Sequence, residues 1–264
     1  MTIEPSQPIG VFDSGLGGLT VLQSLRARLP SEGFLYFADT RHLPYGDKPE
    51  SFIQARAQHI SATLAERGCK AIVIACNTAT AAAAESIRAR LAIPVIALEP
   101  AIKPAAALTR NGILGVLATT RTLTSRRFAQ LVKSHAPNAT IIAQACPGLA
   151  ETIEAEGPGS AKVETLLDAY VRPLASAKAD VVVLGCTHYP WVKAGIARRL
   201  LPETAMVDTG EAVARQLGRR LKEENILGGG HGQLRFAASG DAIQVGATLA
   251  RLCGIRASVE SWAI

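Results

Sequence analysis

The chain does not open on a basic segment followed by an apolar stretch. It also has no apolar run long enough to span a bilayer: the longest, around 71–84, is interrupted by Asn77, Thr78 and Thr80. The expectation is a protein without a secretion signal or a membrane span, working in the cytoplasm. No two cysteines form a CxxC pair. The five cysteines (Cys69, Cys76, Cys146, Cys186 and Cys253) are odd in number and widely spaced, which argues for reduced thiols rather than a disulfide framework. Aromatic residues are scarce at 5%, and basic residues gather only in pairs such as Arg126–Arg127, Arg198–Arg199 and Arg219–Arg220. A nucleic-acid surface is therefore not expected, and solvated helix faces explain the pairs. The net charge of +6 remains suited to attracting an anionic small molecule.

The 264 residues, 48% of them hydrophobic, suffice for two domains of ordinary size with buried cores. Short runs rich in Val, Ile and Ala predict strands at 9–12, 34–38, 71–75, 94–98, 113–118, 140–145, 181–185 and 205–207, with a further strand at 234–238. Their apolar residues do not alternate with polar ones, as expected of strands buried on both faces. Helical patterns fall between them, near 18–29, 50–67, 79–91, 122–135, 160–178, 191–200 and 210–224, and a final helix spans about 240–252. This alternation predicts an α/β fold with two doubly wound domains and mainly parallel sheets. The domain change is placed near Glu99 and the return near Asp208, so that 1–98 with 208–264 forms the first domain and 99–207 the second.

Two segments correspond to each other. AIVIACNTAT (71–80) and VVVLGCTHYP (181–190) are each a buried strand ending in a cysteine, then polar residues, then a helix. Exposed N–H groups and the helix dipole at such a position favour thiolate. Asn77 and Thr78 add donors suited to a carboxylate. A buried structural cysteine followed by a helix cap explains one such motif equally well, but two in matched contexts argue for a shared task. Ligands bind at the carboxyl ends of strands in open α/β sheets, so the pair points to a cleft between the domains. Cys69, Cys146 and Cys253 lack this context and read as structural.

Three loops add further candidates. GVFDSGLGGLT (10–20) is a tight strand-to-helix turn, but Thr20 stands where a dinucleotide fingerprint wants a third glycine. Asp13 before that turn would repel a pyrophosphate. It suits an ammonium group or a proton, or else caps the helix. Pro44-Tyr45-Gly46 forms a turn that presents a ring and main-chain N–H groups. GVLATTRT (115–122) ends a strand in hydroxyl residues, with Thr119 and Thr122 placed to reach a carboxylate.

Taken together and in this order, DSGLGG, PYG, CNTAT and GCTHYP resemble the glutamate racemases of the aspartate/glutamate racemase superfamily, across about residues 9 to 210. The resemblance implies a two-domain fold with its active site in the interdomain cleft, no cofactor, and Cys76 and Cys186 as the two bases. It also implies substrate binding by Asp13, Ser14, Tyr45, Gly46, Asn77, Thr78, Thr119, Thr187 and His188, with Asp13 and His188 also supporting catalysis. A supporting glutamate follows the Cys-Pro turn in this family. CPGLAETIEAEG offers Glu151, Glu154 and Glu156 here, and Glu154 fits best. The implied substrates are L- and D-glutamate, and the implied role is supply of D-glutamate for peptidoglycan. A homodimer is left open.

Racemisation suits two opposed thiols, because the α-proton leaves one face and returns on the other. No lysine occupies a strand-end motif, so a pyridoxal Schiff base has no evident home. An aspartate racemase would share both cysteines. A dithiol redox protein wants a closer cysteine pair, and a zinc site built from Cys76, Cys186 and His188 lacks a local ligand cluster. A non-enzymatic binding module would need the thiols only for packing.

Overall fold

The computed structural model describes residues 3–264. In chain order its elements are β1 (Ile9–Asp13), α1 (Leu19–Arg28), β2 (Phe34–Ala38), α2 (Glu50–Glu66), β3 (Ala71–Ile74), α3 (Asn77–Arg90), β4 (Val95–Ala97), α4 (Ile102–Leu108), β5 (Ile113–Ala118), α5 (Thr120–Thr124), α6 (Arg126–His135), β6 (Thr140–Ala145), α7 (Leu149–Glu156), α8 (Ala161–Ser176), β7 (Val181–Gly185), α9 (Lys193–Ala197), β8 (Ala205–Val207), α10 (Gly210–Glu223), β9 (Leu234–Ala238), α11 (Ala242–Cys253) and β10 (Val259–Ser261). The chain divides into two compact units. One runs to Leu98 and resumes at Gly210–Ile264; the other is Glu99–Thr209.

The first unit carries a six-stranded sheet in the order β10-β9-β2-β1-β3-β4, with every neighbouring pair parallel. Phe12, Ile72 and Ile74 pack with Ile53, Ala57, Ile60 and Leu64 of α2 and with Ala79, Ala83 and Ile87 of α3. Val11 and Val73 point the other way along the same strands and are equally buried. Burial on both faces is why these strands read as continuous apolar runs.

The second unit has four parallel strands in the order β6-β5-β7-β8. One face packs Leu117, Val182 and Leu184 against α7 and α8, where Val163, Leu167, Val171 and Leu174 form a helical stripe. The other face packs Leu114, Val116, Val181 and Val183 against Ile102, Ala105 and Phe128 of α4 and α6. The order β2-β1-β3-β4 of the first unit thus recurs as β6-β5-β7-β8 in the second. In each unit the chain passes to one side of its first strand and then returns to the other, which makes the gap between β1 and β3, and likewise between β5 and β7, a topological switch point.

The structure adds elements that the sequence pattern hides. Helix α4 forms despite Pro104, because Pro104 is its third residue, where a helix has no use for the missing N–H. Helix α7 starts after Gly148, which takes a left-handed φ of 75° as its N-cap. The expected helix over 122–135 is two helices, divided at Ser125, whose side chain accepts from Phe128 N to cap α6. Strand β10 is three residues long, too short to show a pattern. The helix expected near 191–200 is a 3-10 turn (Tyr189–Val192) followed by the short α9.

At the amino end of the first sheet, Lys70 Nζ lies 2.6 Å from Glu32 Oε2, with both side chains buried. Lys70 also donates to the carbonyls of Pro5 and Gly228, and Glu32 Oε1 accepts from Gly228 N at 2.5 Å. Removing the Glu32 charge leaves the buried Lys70 ammonium with neutral carbonyl acceptors only. Glu32→Gln should therefore cost about 3–5 kcal/mol, whereas the paired change Glu32→Leu with Lys70→Met should recover most of that loss. Urea unfolding of the three proteins checks this; a Glu32→Gln variant as stable as the parent would refute it.

Candidate active site

The carboxyl ends of β1 and β3 meet at the switch point of the first unit. Asp13, the last residue of β1, is fully buried. Its Oδ1 accepts from Ser14 N at 2.7 Å and from Ser14 Oγ at 3.3 Å, and its Oδ2 accepts from Gly18 N at 2.6 Å. The carboxylate therefore ties the glycine loop to the strand end. Gly18 caps α1 without a side-chain hydrogen bond of its own, and a Cβ there would lie 2.9 Å from both Asp13 Cβ and Tyr36 Oη. That crowding explains the glycine in physical terms.

Cys76 follows β3 and is the N-cap of α3, its Sγ accepting from Ala79 N at 3.5 Å. The helix begins at Asn77 rather than at 79, helped by its run of alanines. Asn77 and Thr78 therefore lie in the first turn, where main-chain N–H groups have no partner within the helix. Cys76 Sγ stands 3.7 Å from Ser14 Oγ. Thiol, hydroxyl and Asp13 carboxylate thus form one chain. Asn77 Oδ1 is buried without a hydrogen-bond partner, a polar atom that a ligand would satisfy.

The second unit repeats the placement with different chemistry. Cys186 follows β7, and Thr119 follows the adjacent β5. Gly185 before the cysteine leaves room for Ala118 and Leu117, whose Cβ and carbonyl oxygen a Cβ would meet at 2.9 Å. No α-helix starts at Cys186. Pro190 lies in a 3-10 turn that delays α9 to Lys193, so the helix-dipole argument made for Cys76 does not carry over. His188 takes its place: Nδ1 lies 3.6 Å from Cys186 Sγ and Nε2 lies 2.6 Å from Glu154 Oε1. Trp191 meets the imidazole edge-on at 5.8 Å. Burial disfavours a charged ring, but the hydrogen bonds and charges of Cys186 and Glu154 prevail and raise the His188 pKa well above its ordinary value.

Thr187 is buried beside Cys186. Thr119 caps α5, accepting from Thr122 N at 3.2 Å and donating to Thr122 Oγ1 at 3.0 Å. Tyr45 is buried, and its hydroxyl donates to Asp39 Oδ2 at 2.6 Å. Its hydroxyl is thereby engaged, and what this turn has to offer a ligand is the main chain at Tyr45 and Gly46. Of the three glutamates after the Cys-Pro turn, it is Glu154 that touches His188.

The remaining cysteines stand apart chemically. Burial pushes the Cys69 and Cys146 thiols up to about 12, and Cys253 up to about 11, so all three stay protonated at neutral pH. Among the described residues, no group of three or more His, Cys, Asp or Glu is placed to hold a metal ion, and no helix is long and apolar enough to cross a membrane. The sequence reading did not single out Asp39 or Arg56. Asp39 lies directly after β2 as Asp13 closes β1, and that parallel was the available signal.

Comparison with known proteins places the sequence and the fold in one family. A model of the Asp/Glu/Hydantoin racemase family matches residues 20–217. The chain is 51% identical over 226 residues to a glutamate racemase of Pseudomonas paraeruginosa, covering 85% of each. Its fold is similar to the crystal structure of a glutamate racemase isoform from Bacillus anthracis, with a TM-score of 0.89, 30% identity and 99% of each chain covered. It is similar also to the Francisella tularensis glutamate racemase solved with D-glutamate, with a TM-score of 0.85, 30% identity and 98% of each chain covered. By these matches and by its two parallel sheets with a cysteine at equivalent strand ends, the chain belongs to the Asp/Glu/Hydantoin racemase family.

Proposed function

We propose that this protein interconverts L- and D-glutamate without a cofactor, with Cys76 and Cys186 as the two bases, and supplies D-glutamate for peptidoglycan in the cytoplasm. The observation that carries the proposal is the matched pair of relays. Each thiol follows an equivalent strand and connects to a buried carboxylate, through Ser14 to Asp13 in one unit and through His188 to Glu154 in the other. The names of the relatives, and the D-glutamate bound to one of them, favour glutamate as substrate.

In the proposed reaction one cysteine starts as thiolate and the other as thiol. The thiolate removes the α-proton, and the electrons of the broken C–H bond spread into the substrate carboxylate. The opposite thiol then returns a proton to the other face. Family resemblance assigns Cys76 to the D isomer and Cys186 to the L isomer. Donors already in place lower the barrier most where charge develops. The first-turn N–H groups of α3 and the Thr187 hydroxyl suit carboxylate oxygens, and Thr119 joins them once its proton turns away from Thr122 Oγ1. Asp13 and the unpartnered Asn77 Oδ1 suit the ammonium group. His188, held between Cys186 Sγ and Glu154 Oε1, is placed to pass a proton to or from that thiol.

The purified protein, incubated in heavy water with either enantiomer of glutamate and no pyridoxal phosphate, nicotinamide or added metal, should yield both enantiomers carrying α-deuterium. Chiral chromatography with mass spectrometry reads the result. Faster turnover of aspartate, or activity lost to a chelator and restored by zinc, would overturn the reading.

Cys76→Ala and Cys186→Ala should each lower turnover in both directions by about 10²–10⁴-fold or more. Serine at Cys69, Cys146 or Cys253 should leave it within a few-fold in folded protein. Near-normal activity in either alanine variant would refute the two-base mechanism.

The relays predict a directional bias. Asp13→Asn should depress kcat more for the enantiomer deprotonated by Cys76, and His188→Asn or Glu154→Gln more for the other. The equilibrium constant between mirror images is unity, so kcat/KM must fall equally in both directions and the bias can show only in kcat and KM taken separately. Full progress curves from each enantiomer measure it; equal kcat losses in both directions for all three variants would reduce these residues to binding or capping.

A further inference from the structure

The Tyr45–Gly46 turn has little local structure to hold it. It is a three-residue 3-10 turn between extended residues, Pro44 at ψ 149° and Lys48 at ψ 153°, with no side-chain cap. What fixes it lies elsewhere in the unit. The Tyr45 ring packs in the core beside Cys76 and Ala79, and its hydroxyl donates to Asp39 Oδ2 at 2.6 Å. Asp39 has no exposed surface. Arg56 of α2 grips both of its oxygens, Nε to Oδ2 at 2.8 Å and Nη2 to Oδ1 at 2.7 Å, and donates through Nη1 to the carbonyl of Ile264 at 2.6 Å. His42 Nδ1 lies 3.1 Å from Oδ1.

Burial opposes charge on Asp39, but hydrogen bonds from Arg56, Ser239 and Tyr45 hold its carboxyl below the usual range. Burial and the Asp39 charge push the Tyr45 phenol well above its own. The phenol therefore stays a donor and the carboxylate an acceptor. A forked guanidinium on a carboxylate fixes orientation as well as charge. A buried ion pair is no efficient route to stability alone, since well-packed apolar groups often serve equally well.

We infer that Asp39 and Arg56 are positioning residues: together they clamp Tyr45 so that the Tyr45–Gly46 main chain is held in the geometry that grips a substrate carboxylate, and they thereby set KM rather than the rate of proton transfer. The inference rests on the proposed racemase activity. It follows from the directions of the hydrogen bonds. The clamp reaches the turn through the Tyr45 hydroxyl, whose partner is Asp39 and not a group of either relay, so loosening it displaces a binding element first. A site of this kind is only as exact as the residues that hold it.

Tyr45→Phe removes the hydroxyl and keeps the ring, so folding is least disturbed. It should raise KM for both enantiomers of glutamate about tenfold, the equivalent of one lost hydrogen bond, and change kcat less than KM. Asp39→Asn should raise KM further. Arg56→Lys should retain more of the affinity than Arg56→Ala, because an ammonium keeps the charge and loses the fork. Glu32→Gln, which breaks the buried pair at the amino end of the same sheet, is the control: it should lower the melting temperature and leave KM unchanged. If the parent racemises glutamate and folded Tyr45→Phe keeps the parental KM, the clamp inference is overturned while the activity stands. A KM increase in Glu32→Gln equal to that in Tyr45→Phe overturns it as well, by showing that lost stability is sufficient. No glutamate turnover by the parent would overturn the activity, and the clamp with it.

Discussion

A parallel sheet buried on both faces confines chemistry to its rim. Side chains within β1, β3, β5 and β7 pack against helices above and below, so a functional group set inside a strand would have no access to a ligand. At the carboxyl ends the ladder stops, main-chain donors turn outward, and the chain must bend toward a helix. Every candidate residue of the first unit except the Tyr45–Gly46 turn follows directly from that constraint: Asp13 and Ser14 close β1, and Cys76, Asn77 and Thr78 close β3. In the second unit Thr119 and Cys186 to His188 obey it too, while Glu154 reaches the rim from α7.

The same constraint makes the rim electrostatically demanding. Asp13, Asp39 and Glu154 are all buried, and a buried carboxylate must be matched by donors or lose its charge. Each is matched by a different device. Asp13 takes main-chain N–H groups of its own loop, Asp39 takes a forked guanidinium and a phenol, and Glu154 takes an imidazole. These choices divide the work. The Asp13 and Glu154 devices lead to a thiol, and the Asp39 device leads to the Tyr45–Gly46 turn. The two halves of the molecule share a strand order and differ in what flanks the cysteine: a helix N-terminus and a hydroxyl in one, an imidazolium in the other.

Strands β2, β5 and β7 were legible from the sequence because burial on both faces leaves uninterrupted apolar runs, and the half-exposed edge strands β6 and β8, with β9, also stand where short apolar runs do. The two cysteine motifs were legible because a polar residue after such a run marks a strand end. Helices α4 and α7 were masked by Pro104 and by Pro147-Gly148, which read as breakers until their place in or before the first turn is seen. The helix expected near 191–200 starts only at Lys193 and is short, because Pro190 supports a 3-10 turn before it.

By itself, then, the sequence determined that this is an α/β chain of parallel strands with a cysteine closing two of them, since strand burial and strand ends are local patterns of apolarity. Tertiary structure decided how each of those cysteines is connected to a buried carboxylate. Ser14 approaches Cys76 across 62 residues of chain, Glu154 reaches His188 across 34, and Arg56 reaches Asp39 across 17. No period or spacing encodes such contacts. They exist because β1 lies beside β3, α7 shares a core with β7 and Arg56 of α2 reaches the residue that follows β2, and it is the folded sheet that brings these distant side chains within hydrogen-bonding distance.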